Sequence, residues 1–297
     1  MESILLPSLY DCPDRLGKSY EIFCSRSAKF SEYSDWVDKV FSEAVVCQLQ
    51  TTLDGQEELQ VLGVGSGSGM IDYAMLRKLL QRFPRINNRV VEPDQEELKK
   101  YKALVQSKAR ELRGVTCDWR EQTIEQYQKA GELKKFHFIS TIHCLYHVDD
   151  LDSSLTYLYD CLERGGVMLV SLSSDASGRG RFQNRLQSVH GKCPLFTTRR
   201  SSADVRSFFD RRGTWYTQLP IPRRLNITEC FDEASAEGEL LTDFLTTIAH
   251  FKQTAPKELQ QSVMESLGSN DCCERIGGQV WLDVGDDALI TKRVETT

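Results

Sequence analysis

The sequence lacks the signals of several common protein classes. No apolar run is long enough to cross a membrane, and the N-terminal Ile4-Leu5-Leu6 is too short for a secretory signal and follows an acid, Glu2. Its 10 cysteines include no Cys-x-x-Cys pair and stand singly, apart from vicinal Cys272-Cys273, in a chain of 297 residues. Disulfide frameworks belong to short secreted chains, so free thiols in a reducing cytosol are expected. Positive charge is also scarce, with 37 Lys and Arg against 43 Asp and Glu and a net charge of -6. Duplex-binding surfaces are basic. Neither a nucleic-acid partner nor a membrane partner is therefore expected. No Pro-, Gly- or Ser-rich linker splits the chain and no repeat recurs in it. One α/β domain with insertions is the reading that follows.

What is present is an alternation of strands and helices. Leu59 to Val64 is a β-rich run ending in glycines. Met70 to Phe83 carries apolar residues at helical spacing and stops at Pro84. Arg89 to Pro93 reads as a second strand, Asp94 as the N-cap of a helix over Gln95 to Lys108, and Val115 to Asp118 as a third strand. A helix over Gln122 to Ala130, a fourth strand at Phe136 to Cys144, a helix over Asp149 to Leu162 ended by Arg164-Gly165-Gly166, and a fifth strand at Val167 to Leu172 follow. Such an order predicts a parallel sheet with helices on both faces. After residue 173 a polar stretch, rich in Arg and Gly and without clear period, reads as an insertion or lid. Helices over Ser202 to Asp210, Glu237 to Phe251 and Lys257 to Leu267, a strand at Thr214 to Ile221 and a closing hairpin over Gln279 to Thr291 complete the pattern.

Gly65-Ser66-Gly67-Ser68-Gly69 leaves the carboxyl end of the first strand, where α/β sheets bind ligands. Glu92 closes the second strand, where a carboxylate can accept both hydroxyls of an adenosine ribose. A dinucleotide site would need its third glycine three residues after the second. Here that position is Met70 and the glycine comes at 69. No Gly-Lys-Ser/Thr follows, so the loop is not a P-loop either. The spacing suits a nucleoside cofactor with no pyrophosphate to cradle.

Several stretches together resemble the histamine N-methyltransferase family, a branch of the class I S-adenosylmethionine-dependent methyltransferases. They are Val61 to Asp72, Asn88 to Pro93, Lys100-Tyr101-Lys102, Leu145-Tyr146-His147-Val148-Asp149, Glu229-Cys230-Phe231, Gly238 to Leu241, Asp243 to Thr246 and Thr254-Ala255-Pro256. The likeness runs from about residue 17 to 292. It implies a seven-stranded Rossmann-like sheet with helices on both faces, a small substrate-binding subdomain, a monomer and a cytosolic home. It divides the chain into a helical substrate lid at 1–50, the cofactor-binding core at 51–173, an insertion with the remaining core elements at 174–275, and a closing strand at 276–297.

The resemblance also implies the site. Cofactor contacts fall on Gly65, Gly67, Gly69, Glu92, Glu97, Thr123 or Ile124, and Ile142. Glu97 stands where the family has Gln and Ile124 where it has Ser. His143 and Tyr146 are the candidate catalytic residues, His143 to orient the acceptor ring or relay its proton. Tyr20, Lys29, His147, Phe182, Phe244, Asp283 and Val284 are the candidate substrate-binding residues. Lys29 replaces a family glutamate that would pair with an ammonium tail, although Glu32 is close enough to take over that role. His143 replaces Gln, His147 replaces Tyr and Val284 replaces Asn. His143 and His147, or His190 and Cys193, have metal-like spacing, but no closed set of four ligands appears and no metal is expected. Three readings follow. The first is methyl transfer from S-adenosylmethionine to an imidazole nitrogen of histamine or a close small imidazole amine. The second is the same chemistry on a carboxylate-bearing imidazole such as carnosine. The third is a catalytically silent relative that binds the cofactor.

Overall fold

The computed structural model describes residues 6–50, 58–190 and 200–294. Its helices are α1 (Pro13–Arg26), α2 (Lys29–Trp36), α3 (Cys47–Gln50), α4 (Met70–Leu80), α5 (Gln95–Ser107), α6 (Ile124–Lys129), α7 (Leu151–Asp160), α8 (Gly178–His190), α9 (Ser202–Arg211), α10 (Ala236–Thr246), α11 (Phe251–Thr254) and α12 (Lys257–Leu267). Its strands are β1 (Leu59–Val64), β2 (Ile86–Val91), β3 (Val115–Arg120), β4 (Phe136–Ile142), β5 (Leu162–Ser173), β6 (Tyr216–Ile221), β7 (Arg224–Asn226), β8 (Cys273–Ile276), β9 (Gln279–Asp283) and β10 (Asp286–Lys292). Among the described residues no helix is long and apolar enough to cross a membrane.

Two compact units form. The first holds a seven-stranded sheet ordered β3-β2-β1-β4-β5-β10-β6, and comprises Phe30–Leu172, Arg200–Ile221 and Asp287–Thr297 so far as these are described. Strands β1 to β5 are parallel neighbours. β1, β2, β4 and β5 are buried along most of their length because helices cover both faces, whereas β3, at the edge of the sheet, is half-buried. Hydrogen bonds Gly165–Arg293 and Ser174–Gly285 join the two ends of the pairing in opposite order, so β10 runs against β5. The chain winds outward one way from β1 through β2 to β3, then the other way from β4 to β5. The β1/β4 boundary is thus the switch point, where such sheets leave a crevice at their carboxyl ends.

The segment before β1 has a stripe of period four: Tyr33, Val37, Phe41, Val45 and Leu49, none more than 1% exposed. Ideal α-helical turns of about 3.6 residues would carry that stripe round the axis. Between α2 and α3, residues Val37–Val46 instead form wide π turns, with Cys47 N–H reaching Ser42 O. The widened turns bring the stripe back onto one face, against α4.

The second unit comprises Met1–Lys29, Ser173–Arg199 and Pro222–Asp286, again so far as described. It contains the antiparallel three-stranded sheet β7-β9-β8 and its own apolar core, from Leu9 and Phe23 to Leu282 and Val284. Helix α1 lies along α10. Arg15 joins them by pairing with Glu239 and with Asp243, and Asp243 also accepts the N–H groups of His250 and Phe251 at 2.8 and 2.9 Å.

Three expectations change. The stretch after 173 contains a helix, α8, in which the buried apolar side chains among the described residues are Phe182 and Leu186, four apart among arginines and glycines. Arg164-Gly165-Gly166 do not end a helix: they lie inside β5, at a register irregularity opposite Phe136 and Phe138. The expected closing segment 276–297 divides, since β9 pairs with β7 and β8 and only β10 joins the large sheet.

Candidate active site

The registers align the carboxyl ends of four strands. Val64 of β1 pairs with Val91 of β2 and Thr141 of β4, and Val91 pairs with Arg120 of β3. The glycine loop leaves this row. Its three glycines have φ of 62° at Gly65, 53° at Gly67 and 77° at Gly69, all left-handed. Gly65 N–H donates to Val91 O at 2.8 Å, and Gly69 N–H closes the turn onto Ser66 O at 3.0 Å. Gly65 is required by close approach as well as by φ: a Cβ there would lie 2.2 Å from the Cβ of Cys144. At Gly67, by contrast, an added Cβ would meet only Glu97 Oε2, at 3.6 Å. The loop is therefore open on that side.

Glu92, 6% exposed, is fixed by backbone. Its Oε2 accepts Gly67 N–H at 2.7 Å and its Oε1 accepts Asp94 N–H at 2.9 Å. Each carboxylate oxygen has a second lone pair for a hydroxyl donor. Asp94 caps α5 as expected, through Glu96 N–H and Glu97 N–H. That cap places Glu97 in the first turn, beside Gly67 and paired with Lys100 at 2.6 Å. An anchored carboxylate, an open glycine amide turn and a second acid fit a nucleoside with hydroxyl and ammonium donors. Thr123 has a further job, since its hydroxyl caps α6 in a reciprocal box with Gln126. Ile124 is 6% exposed, among core residues that include Val64 and Val91. Ile142 is half-buried at the end of β4.

Two groups at this site carry no clear signal in sequence. The Cys144 thiol donates to Val64 O at 3.2 Å under the loop, and burial pushes its pKa up to about 12, so it is an inert spacer. Asp72, 7% exposed, accepts from Tyr101 Oη at 3.3 Å. Burial pushes its carboxyl up to about 6, with the charge of Glu92 adding to the rise and the Ser66 and Tyr101 hydroxyls opposing it. A folded pKa above the unfolded one means that ionisation opposes folding. The penalty is absent below about pH 3.8, grows between 3.8 and 6, and is complete above 6. Two pKa units correspond to about 3 kcal/mol. Urea titrations without cofactor should therefore show Asp72→Asn matching the native chain near pH 4 and exceeding it by about 2–3 kcal/mol at pH 7.5. A gap that does not widen with pH would remove this assignment.

His143 follows β4 with φ of 54°, a costly conformation for a residue with a Cβ, and its N–H is held by Ser171 O at 3.0 Å. Its ring lies edge-on to Tyr33 at 5.9 Å and to Tyr146 at 6.4 Å. Tyr33 Oη is fixed in turn by Ser171 Oγ at 2.8 Å. The exposed His147 stacks obliquely on Tyr146 at 4.3 Å. His143, Tyr146 and His147 are thus gathered with the glycine loop in the sheet unit.

The other expected acceptor residues all lie in the second unit. Tyr20 and Phe244 are 6.0 Å apart, with Phe23 4.6 Å from Phe244. Lys29, half-buried, begins α2. Phe182 and Val284 are 0% and 2% exposed and serve as core filler, so neither side chain offers surface to a ligand. Asp283 staples backbone, accepting Gly178 N–H at 3.1 Å and Gly285 N–H at 2.9 Å. Vicinal Cys272 and Cys273 are buried free thiols. Cys193 and the side chain of His190 lie outside the described residues, and among the described ones no three His, Cys, Asp or Glu gather as a metal site.

Comparison with known proteins agrees with this geometry. Residues 30–213 match a methyltransferase domain model. Histamine N-methyltransferase of Danio rerio is 32% identical over 284 residues, covering 93% of this chain and 94% of that one. The enzyme of Xenopus tropicalis is 30% identical over 297 residues, covering 97% and 98%. Among solved structures, a Bacillus halodurans protein superposes with a TM-score of 0.52 at 16% identity, over 84% of this chain and 99% of that one. The YcgJ protein of Bacillus subtilis gives 0.50 at 14%, over 84% and 100%. These two show the fold alone. The chain is an S-adenosylmethionine-dependent methyltransferase and belongs to the histamine N-methyltransferase family.

Proposed function

We propose that the acceptor is an imidazole ring nitrogen of histamine or of a close small imidazole amine. The observation that carries this reading is the likeness to histamine N-methyltransferases over nearly the whole chain. S-adenosylmethionine supplies a methyl group on a sulfonium. The chain's own residues bind and orient. Glu92 and the turn at Gly67 hold the nucleoside, and Glu97 is the proposed partner for its charged tail. A neutral imidazole, whose conjugate acid titrates near 6.5, is already a nucleophile at neutral pH. No strong base must act first. Its lone pair forms the new N–C bond as the S–C pair returns to sulfur, and the ring N–H proton is lost afterwards. His143 is proposed to orient the acceptor ring and take that proton, with Tyr146 as an aromatic wall for the cationic product. Tyr20, Lys29 and Phe244 are the proposed residues for the acceptor's tail. Reducing cytosol and a monomeric state are part of the same proposal.

A radiolabelled-methyl screen over small amines, with histamine and carnosine included, tests it. Transfer to an imidazole amine is the expected result. Retained cofactor binding with no transfer to any imidazole would remove the acceptor assignment. Lys29→Glu should raise kcat/KM for histamine about fivefold through KM, since an opposite charge at a half-exposed position contributes about 1 kcal/mol. An unchanged KM would show that Lys29 does not select.

A further inference from the structure

Asp72 stands in the first turn of α4, directly after the glycine loop, and its buried carboxyl faces that loop. A Cβ built on Gly63, in β1, would lie 2.6 Å from Asp72 Oδ2 and 2.6 Å from Ser66 Oγ. The missing side chain at 63 leaves the space in which the two groups face each other. Ser66 Oγ is buried and makes no hydrogen bond of ordinary length among the described residues. Its polar neighbour is the Asp72 carboxyl, near enough for the hydroxyl to favour the ionised form. From the other side Tyr101 Oη donates to Asp72 Oδ2 at 3.3 Å and accepts from Asn88 Nδ2 at 3.3 Å. The Tyr101 ring also packs on the end of the loop, since a Cβ on Gly69 would lie 2.0 Å from Tyr101 Cδ2. Across the turn, Glu92 accepts Gly67 N–H at 2.7 Å. Two carboxyls thus engage successive loop residues, Asp72 at Ser66 and Glu92 at Gly67. All of these residues belong to the sheet unit.

We propose that Asp72 is a positioning residue for the cofactor: its carboxylate, acting through Ser66, sets the turn that receives S-adenosylmethionine, and taking up a proton weakens that binding. The role concerns the cofactor alone and does not depend on which acceptor is methylated. An ionised carboxyl only accepts, so it turns the neighbouring Ser66 and Tyr101 hydroxyls toward itself; a protonated one is also a donor and releases that constraint. The ionisable groups facing Asp72 are Glu92 at the end of β2, Tyr101 on α5, Cys117 on β3 and Cys144 after β4. Burial raises the phenol and both thiols, which stay neutral at neutral pH and leave Glu92 as the charge that acts on Asp72. Hydroxyl donors from a bound nucleoside satisfy the Glu92 charge and ease its repulsion of Asp72, so the loaded site favours the ionised form. Binding then releases a proton, and affinity rises with pH until Asp72 is fully ionised. With the Asp72 carboxyl pushed up to about 6, chiefly by burial, that rise falls below neutral pH.

Calorimetric titration with S-adenosylhomocysteine from pH 5 to 7.5, in buffers of high and low ionisation enthalpy, tests this on the native chain, Asp72→Asn and Ser66→Ala. Native affinity should fall about fivefold from pH 7.5 to 5, with proton release on binding near pH 6 read as buffer-dependent heat. Asp72→Asn should bind about tenfold more weakly than the native chain at pH 7.5, without that slope and without that proton, although it is the more stable protein there. A merely structural role would make affinity follow stability instead. Ser66→Ala should lose about as much at pH 7.5, with the double variant little weaker than either alone, and it carries the test if Asp72→Asn fails to fold. An Asp72→Asn chain that binds as tightly as the native one at pH 7.5, a pH slope shared by both, or losses from the two substitutions that simply add overturns the proposal. A native chain that does not bind S-adenosylhomocysteine overturns the cofactor loop and this role of Asp72 together. Failure to methylate any imidazole amine, with binding and its pH dependence intact, removes the acceptor reading and leaves Asp72 its role.

Discussion

Glu92→Ala should lower the affinity for S-adenosylmethionine at least a hundredfold. The carboxylate accepts two backbone N–H groups, at Gly67 and Asp94, and each of its oxygens keeps a second lone pair for a hydroxyl donor. Hydrogen bonds to a charged group contribute about 1.5–3 kcal/mol each. Loss of the ribose contacts alone therefore accounts for the hundredfold, and loosening of the turn at Gly67 adds to it. Glu92→Gln keeps one acceptor oxygen, and its loss should be nearer tenfold. Calorimetry with S-adenosylhomocysteine reads both. The fold should survive either change, because Glu92 stands at a strand end and not in an apolar core. Affinity untouched by Glu92→Ala would mean that the nucleoside is held elsewhere.

The second large effect is at Gly65. An alanine there must adopt φ of 62° and bring its Cβ to 2.2 Å from that of Cys144. The backbone conformation costs about 1–2 kcal/mol and overpacking another 1–3 kcal/mol. At about 2–4 °C per kcal/mol for a chain somewhat smaller than this one, the melting temperature should fall by roughly 10 °C. Cofactor affinity should fall with it as the loop is pushed off Val91. The clash is with the Cβ at 2.2 Å and, less severely, with the sulfur at 2.9 Å, which gives a graded control. Cys144→Gly in the Gly65→Ala background should recover more of the loss than Cys144→Ala, which removes only the lesser contact. Equal rescue by both would place the strain elsewhere.

Much of this site was legible because its parts are local. A glycine turn after an apolar strand, an acid ending the next strand and an Asp cap are short-range patterns, and all three occur where the sequence puts them. Asp72 and Cys144 were not legible. Each matters through a neighbour far along the chain: Tyr101 for the first, and Gly65, 79 residues earlier in the numbering, for the second. Helix α8 was hidden because its few apolar residues stand among arginines and glycines, which weaken a helical pattern. The hairpin expected at the end failed because alternation marks a strand but not its partner. Phe182 was expected at the acceptor from its chemistry, yet an aromatic residue is as apt to fill a core.

The order of residues determined most of the elements, the parallel run β1 to β5, the cofactor loop and its acid, since propensity, periodicity and turn chemistry act within a few residues. Tertiary structure alone decided which sheet each late strand joins, which acid is buried enough to resist ionisation, and that Cys144 packs against the glycine loop. Those outcomes depend on desolvation and on contacts between groups distant in the chain, quantities that exist only once the chain has closed on itself.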